Sequence, residues 1–134
     1  MKRHARTLDM PSASASLCLR VHSLCALLGL WREIRKDLPG PIVLINEFIV
    51  APSDRERFVT QWSAIAAHLR TAPGFGSAQL HAAIGSNRWL NYATWASSAA
   101  LGEALRAPDF RELARGLPAV GVARLYRVQI NLPT

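Results

Sequence analysis

Cysteine, lysine and long apolar runs are scarce in this sequence of 134 residues. The two cysteines, Cys18 and Cys25, allow at most one disulfide, which excludes a small fold held together mainly by disulfides. No lysine follows Lys36, so the rest of the chain lacks the clustered Lys/Arg stripe that follows a phosphate backbone, and no nucleic-acid partner is expected. No uninterrupted apolar run approaches the roughly 18 residues needed to span a bilayer.

The composition is that of a folded protein. Half of the residues are hydrophobic and 19% are charged, which is typical of one packed domain and excludes a wholly disordered chain. The formal net charge is +7, and the basic excess is greatest in the first 40 residues. We therefore divide the chain into residues 1–40, a basic and apolar extension that is helical or partly disordered, and residues 41–134, a single domain.

The extension allows several interpretations. Its apolar residues recur at alternating spacings of four and three, which predicts one stripe along a helix; they are Leu17, Val21, Leu24, Leu28 and Trp31. Residues 17–36 thus suit a docking helix or a helix that contacts a membrane surface, and a non-essential extension is the plainer alternative. A secretory signal is less favoured because no clean cleavage site follows the apolar stretch, and we expect a reducing cytoplasm.

From residue 41 onwards, hydrophobic periodicity and turn residues predict alternating strands and helices. The strands are expected at 42–50, 75–83, 88–95 and 121–131, and the helices at about 53–71 and 97–116. The first helix has a capping box at Ser53 and Glu56, and Ser97 can cap the second. The order β-α-β-β-α-β predicts a ferredoxin-like α+β fold with two helices on one face of an antiparallel sheet. The other face needs cover, so we expect a homodimer packed sheet against sheet.

Several short segments of the predicted elements resemble one known family. These are Val43-Leu44-Ile45-Asn46-Glu47-Phe48, Trp62, Pro73-Gly74-Phe75, Leu80-His81, Asn91-Tyr92-Ala93-Thr94-Trp95-Ala96-Ser97 and Ala107-Pro108-Asp109-Phe110. Together they are similar to the antibiotic biosynthesis monooxygenase domains of the dimeric α/β barrel superfamily. The resemblance covers about residues 41–131 and leaves residues 1–40 without a counterpart.

The resemblance implies a cofactor-independent monooxygenase that oxidises a phenolic or quinol-type aromatic with dioxygen, with no cofactor and no metal. A non-catalytic domain that binds small molecules or is associated with stress, on the same fold, remains the alternative. Haem degradation is less favoured. In that branch of the superfamily an iron-binding His follows a Phe of the second helix by four residues, and counting from Phe110 gives Ala114.

The resemblance also implies site residues. Asn91 and Trp95 match its Asn-x-x-x-Trp pattern, and side chains four apart on a strand share one face. A carboxamide can hydrogen-bond a substrate oxygen, and an indole offers a flat wall with one N–H donor. Asn46, inside an apolar strand, needs a hydrogen-bond partner or a cavity, and His81 is a candidate base. The alternatives are a core position for Trp95, backbone-bonded asparagines and an exposed His81.

An aromatic lining is expected around the substrate. Its candidate residues, which any hydrophobic core would equally contain, are Phe48, Phe58, Trp62 and Phe110.

Overall fold

The computed structural model describes residues 30–32, Ile34 and residues 39–134. Its elements follow the predicted order, except that the second helix is divided in two. The strands are β1 (Ile42–Ile49), β2 (Phe75–Ala82), β3 (Arg88–Trp95) and β4 (Gly121–Tyr126), and the helices are α1 (Arg55–Leu69), α2 (Ser98–Arg106) and α3 (Pro108–Arg115).

Local sequence accounts for the helix ends. The side chain of Ser97 accepts a hydrogen bond of 3.1 Å from the backbone N–H of Ala100, so the predicted cap of α2 is confirmed. Pro108 has no N–H to continue α2 and instead opens α3. The predicted capping box of α1 is wrong. Ser53 lies in a short 3₁₀ turn, and α1 begins after Asp54 with no side-chain cap.

The four strands form one antiparallel sheet in the order β2-β3-β1-β4. The two central strands, β1 and β3, are each paired on both sides. Helices α1 and α2 contribute buried side chains to the same sheet face, here called the inner face. The ferredoxin-like α+β fold expected from the sequence is therefore confirmed.

The last strand is shorter than predicted and ends at Tyr126, opposite Val43 of β1. The ladder stops there because β1 itself begins at Ile42, directly after Pro41, which has no N–H to donate. The following residues keep an alternating apolar pattern but are exposed, Ile130 to 81%. Residues 127–134 thus have the sequence of a strand and no strand partner within the described part of the chain.

Two apolar clusters lie on the inner face. The larger joins β1, β3 and α2, and its buried side chains include Ile42, Leu44, Ala93, Trp95, Leu101 and Leu105. The smaller is built from Phe48, Val50 and Phe58. The position between them on β1 is occupied by Asn46, so a polar residue separates two apolar clusters.

The core extends beyond the predicted domain boundary. Leu30 and Ile34, which are helical, are each 5% exposed and belong to the larger cluster. Trp31, the last residue of the predicted stripe, packs against this cluster. The other four stripe residues, both cysteines and most of segment 17–36 lie outside the described residues, and the membrane-surface role of this segment stays a prediction. Within the described residues no helix is long and apolar enough to cross a membrane.

Candidate functional site

The strand register brings two asparagines together at the centre of the inner face. Asn46 of β1 lies directly opposite Asn91 of β3, and paired residues have Cβ atoms about 4.5–5.5 Å apart on the same side of the sheet. Leu80 of β2 and Ala123 of β4 flank this pair. The two asparagines, expected separately from the sequence, thus form one carboxamide pair.

The oxygen atoms of the carboxamide pair are buried without hydrogen bonds from the described part of the chain, although both asparagine residues are half-buried overall. The Oδ1 atoms of Asn46 and Asn91 are both shielded from solvent, and neither has a hydrogen-bond partner among the described residues. An unpaired buried acceptor costs about 1–3 kcal/mol, and such groups in native structures require an explanation. Two such acceptors lie on adjacent strands in this part of the inner face.

Gly121 of β4 is packed tightly against the carboxamide pair. A Cβ atom at this position would overlap Asn46 Oδ1 and would lie 2.7 Å from Cε1 of Phe48. Only glycine allows the β4 backbone to approach Asn46 this closely. The backbone φ of Gly121 is not positive, so its conformation does not itself require glycine. Nothing in the sequence marked Gly121 as part of the site.

Aromatic rings border the pair on the side of β1 that leads to Phe48. The Phe48 and Phe58 ring centroids are 5.0 Å apart in an edge-to-face arrangement, and Trp89 packs on Phe58 at 5.5 Å. Trp89, opposite Phe48 in the sheet, was not singled out from the sequence, although its spacing of two from Asn91 along β3 gives it the same face. Of the other predicted lining residues, Trp62 is half-buried on α1, and Phe110 packs against the larger cluster.

Trp95 shares the inner face with Asn91, as the spacing predicts. Its side chain is only 2% exposed and meets Phe75 edge to face at 5.4 Å between ring centroids. It belongs to the larger cluster and follows Ala93, the residue opposite Leu44, by two positions along β3. The indole is therefore a core anchor on the same face as Asn91, with the Leu44 and Ala93 pair between it and the asparagines.

His81 is separated from the asparagines. It lies on the outer face of β2, opposite Leu90, is exposed, and its Nε2 is 3.2 Å from Oε1 of Gln79. Within one chain the sheet stands between this imidazole and the carboxamide pair. The inner positions of the four described strands carry apolar residues, glycine and the two asparagines, with no ionisable side chain.

Two open grooves lie away from the carboxamide pair. One, of about 570 Å³, runs between the end of α1 and α2 past His68 and Glu103. The other, of about 390 Å³, lies on the outer face beside Tyr92 and Arg127. Neither contains a shielded unpaired polar atom, whereas the asparagine pair does, so we place the candidate site at the pair. No group of three metal-binding side chains occurs among the described residues.

Residues 41–116 match the sequence profile of the family described as Antibiotic biosynthesis monooxygenase. The chain belongs to this family. A cofactor-independent oxygenase from Streptomyces nogalater, SnoaB, is 26% identical with a TM-score of 0.65, and the match covers 71% of this chain and 99% of the oxygenase. A candidate monooxygenase from Shewanella loihica is 32% identical with a TM-score of 0.60, covering 70% of this chain and 99% of that protein.

A third antibiotic biosynthesis monooxygenase fold, from Caulobacter crescentus, is 17% identical with a TM-score of 0.62 over 71% of this chain and 95% of that one, and supports the fold alone. No curated protein shows significant similarity to the chain. The family and its oxygenase neighbours support a monooxygenase activity for this member in general terms. The matched segment 41–116 contains both asparagines, Trp95 and Phe110, and it begins after Ile34.

Proposed function

We propose that this antibiotic biosynthesis monooxygenase family member oxidises a phenolic or quinol-type aromatic with dioxygen and without a cofactor, and that Asn46 and Asn91 hold the substrate oxygens. The observation that carries the proposal is the pair of shielded, unpaired Oδ1 atoms on adjacent strands. A bound hydroxyl group would supply the hydrogen bonds that these oxygens lack.

The reaction class balances without an added reductant. Conversion of a phenol carbon that bears hydrogen to a quinone carbonyl uses one dioxygen, places one oxygen atom on carbon and releases the other as water. The aromatic substrate supplies all the electrons. The protein then has to orient the ring, exclude water and stabilise the oxygen-bearing intermediate, which are tasks for positioned dipoles and apolar walls.

The side chains divide these tasks according to their chemistry. Each asparagine offers one acceptor oxygen and two N–H donors, so the pair can hold a hydroxyl and stabilise charge on a reacting oxygen. The Phe48 and Phe58 rings suit an aromatic face on one side, and Trp95 is the wall on the other. His81, a candidate base in the sequence, faces away from the pair. We therefore infer that the substrate loses its proton to water.

We further propose that a second copy of the chain covers the outer face. The exposed apolar side chains of this face include Ile49, Val122 and Tyr126. Residues 127–134, which have no strand partner among the described residues, add Val128, Ile130 and Leu132. Exposed strand-patterned residues favour pairing with another chain. The double variant Ile130→Lys/Leu132→Lys should shift the mass measured by light scattering from dimer to monomer, while Ala119→Ser should not. A wild-type monomer at micromolar concentration would contradict this proposal.

Binding without turnover is the competing function. It is favoured by the lack of any ionisable side chain at the inner positions of the described strands, because such a surface can hold a phenol but cannot itself take its proton. Only the oxygenase would consume oxygen, whereas both functions require the protein to bind the phenol.

The decisive experiment is oxygen uptake by the full chain, treated with chelator, with a panel of hydroquinones and polycyclic phenols. The test variant is Asn46→Leu/Asn91→Leu, and the matched control is Gln79→Met, a carboxamide on the outer face. Uptake above autoxidation that the test variant loses and the control keeps would support catalysis at the pair. Binding without uptake would support the competing function, and uptake that survives in the folded test variant would refute the site.

A further inference from the structure

The short helical segment before the family domain packs into the core. Leu30 and Ile34 are four positions apart, so they share one face of a helix, and each is 5% exposed within the cluster that contains Trp95. Trp31 packs against the same cluster. We call these three residues the strap.

Helix α2 contacts the strap at two positions. Gly102 is buried in the middle of α2, and a Cβ atom there would lie only 3.0 Å from Cγ2 of Ile34. Glycine is unfavourable inside a helix, and the close approach of Ile34 explains its presence. One turn later, the Arg106 guanidinium lies over the Trp31 ring, 5.1 Å from its centroid.

The strap also reaches the wall of the proposed site. Leu30 and Ile34 share their cluster with Leu101 and Leu105 of α2 and with Trp95 of β3. Trp95 is almost fully enclosed, and the strap belongs to the apolar cluster that contains it. The match to the monooxygenase family covers residues 41–116, so the strap lies outside the matched segment, whereas α2 and Trp95 lie within it.

We propose that the strap is a positioning element, which pins α2 against Trp95 and so fixes the wall that Trp95 forms in the proposed site. The strap acts through α2 and Trp95 and does not itself touch the substrate. The inference rests on the proposed function only in treating Trp95 as a pocket wall. It predicts that loosening the strap increases the motion of α2 and relaxes discrimination between small and large aromatic ligands.

The test uses the full chain with Ile34→Val and Ile34→Ala. The matched controls are Ile65→Val and Ile65→Ala in α1, because Ile65 is the same residue type and is similarly buried at 7% exposure. Both pairs should lower Tm, the valine variants by roughly 5 °C. If Ile34→Ala does not fold, Ile34→Val carries the test.

Two readouts separate positioning from stability. Amide hydrogen exchange of α2 should rise roughly tenfold in the Ile34 variants and stay near wild type in the Ile65 variants of equal Tm. The ratio of the dissociation constants for two fluorescent phenols, naphthol and hydroxypyrene, should shift by about fivefold in favour of hydroxypyrene in the Ile34 variants only.

Unchanged exchange in α2 would overturn the proposal. Faster exchange with an unchanged ratio would reduce the strap to a purely structural role and would also overturn it. If neither phenol binds the wild-type protein, the substrate class of the proposed function is wrong, and hydrogen exchange still decides whether the strap pins α2.

Discussion

Replacing the asparagine pair by leucine should keep or raise stability while removing function. Leucine has the same branched skeleton as asparagine but larger end groups, so the substitution exchanges a carboxamide for an apolar group and adds volume beside the tightly packed Gly121. The Oδ1 atoms of Asn46 and Asn91 have no partner among the described residues, so no hydrogen bond of theirs is lost. The penalty for an unpaired buried acceptor is about 1–3 kcal/mol, and part of it should be recovered.

The expected gain is about 1 kcal/mol for each single variant at most, and about 2 kcal/mol for Asn46→Leu/Asn91→Leu. For a domain of this size, 1 kcal/mol corresponds to roughly 4–8 °C in Tm. Calorimetry at one fixed protein concentration measures it, because Tm of an oligomer depends on concentration. Oxygen uptake and phenol binding by the same samples should fall to background.

A carboxamide that has a partner provides the contrast. The Nε2 group of Gln61 donates a hydrogen bond of 2.6 Å to the carbonyl oxygen of Leu113 and joins α1 to α3. Gln61→Met keeps the shape and removes the donor, so it should lower the free energy of unfolding by about 1 kcal/mol. If both Asn→Leu variants instead lose more than about 1 kcal/mol, the asparagines are satisfied structural residues and the reasoning is refuted.

Three further predictions concern the same site. Gly121→Ala should displace the Asn46 carboxamide, cost about 1–3 kcal/mol by overpacking, and reduce oxygen uptake more than the neighbouring outer-face variant Val122→Ala; equal uptake by the two variants would contradict the close approach. His81→Gln should leave uptake within about twofold of wild type, since the imidazole faces away from the pair, and a loss of roughly a hundredfold would restore His81 as the base. Uptake should rise with pH through the pKa of whichever phenol is supplied, because no ionisable side chain lies at the inner strand positions; a midpoint that stays constant across phenols of different pKa would reveal an enzyme base.

Local sequence was sufficient to predict the helices and strands and the face of the sheet on which each strand residue lies. The β-branched run beginning at Ile42, the cap at Ser97 and Pro108 act through contacts between near neighbours, so their effects can be read along the chain. The period of two along a strand placed Asn91 with Trp95, and Asn46 with Phe48, on single faces. The element order then gave the ferredoxin-like topology.

Tertiary structure alone decided what these faces contact. The strand register placed Asn46 opposite Asn91 and left both Oδ1 atoms unpaired. The alternation of inner and outer residues along one strand does not determine the register between two strands whose paired asparagines are 45 positions apart in sequence. Pairing of β2 with β3 placed His81 on the outer face, and pairing of β4 with β1 ended at Tyr126, where β1 begins. Gly121 and Gly102 owe their roles to side chains that approach from distant segments, Asn46 and Ile34. Periodicity fixes which side of an element a residue occupies, whereas the neighbours it meets there depend on long-range packing of the whole chain.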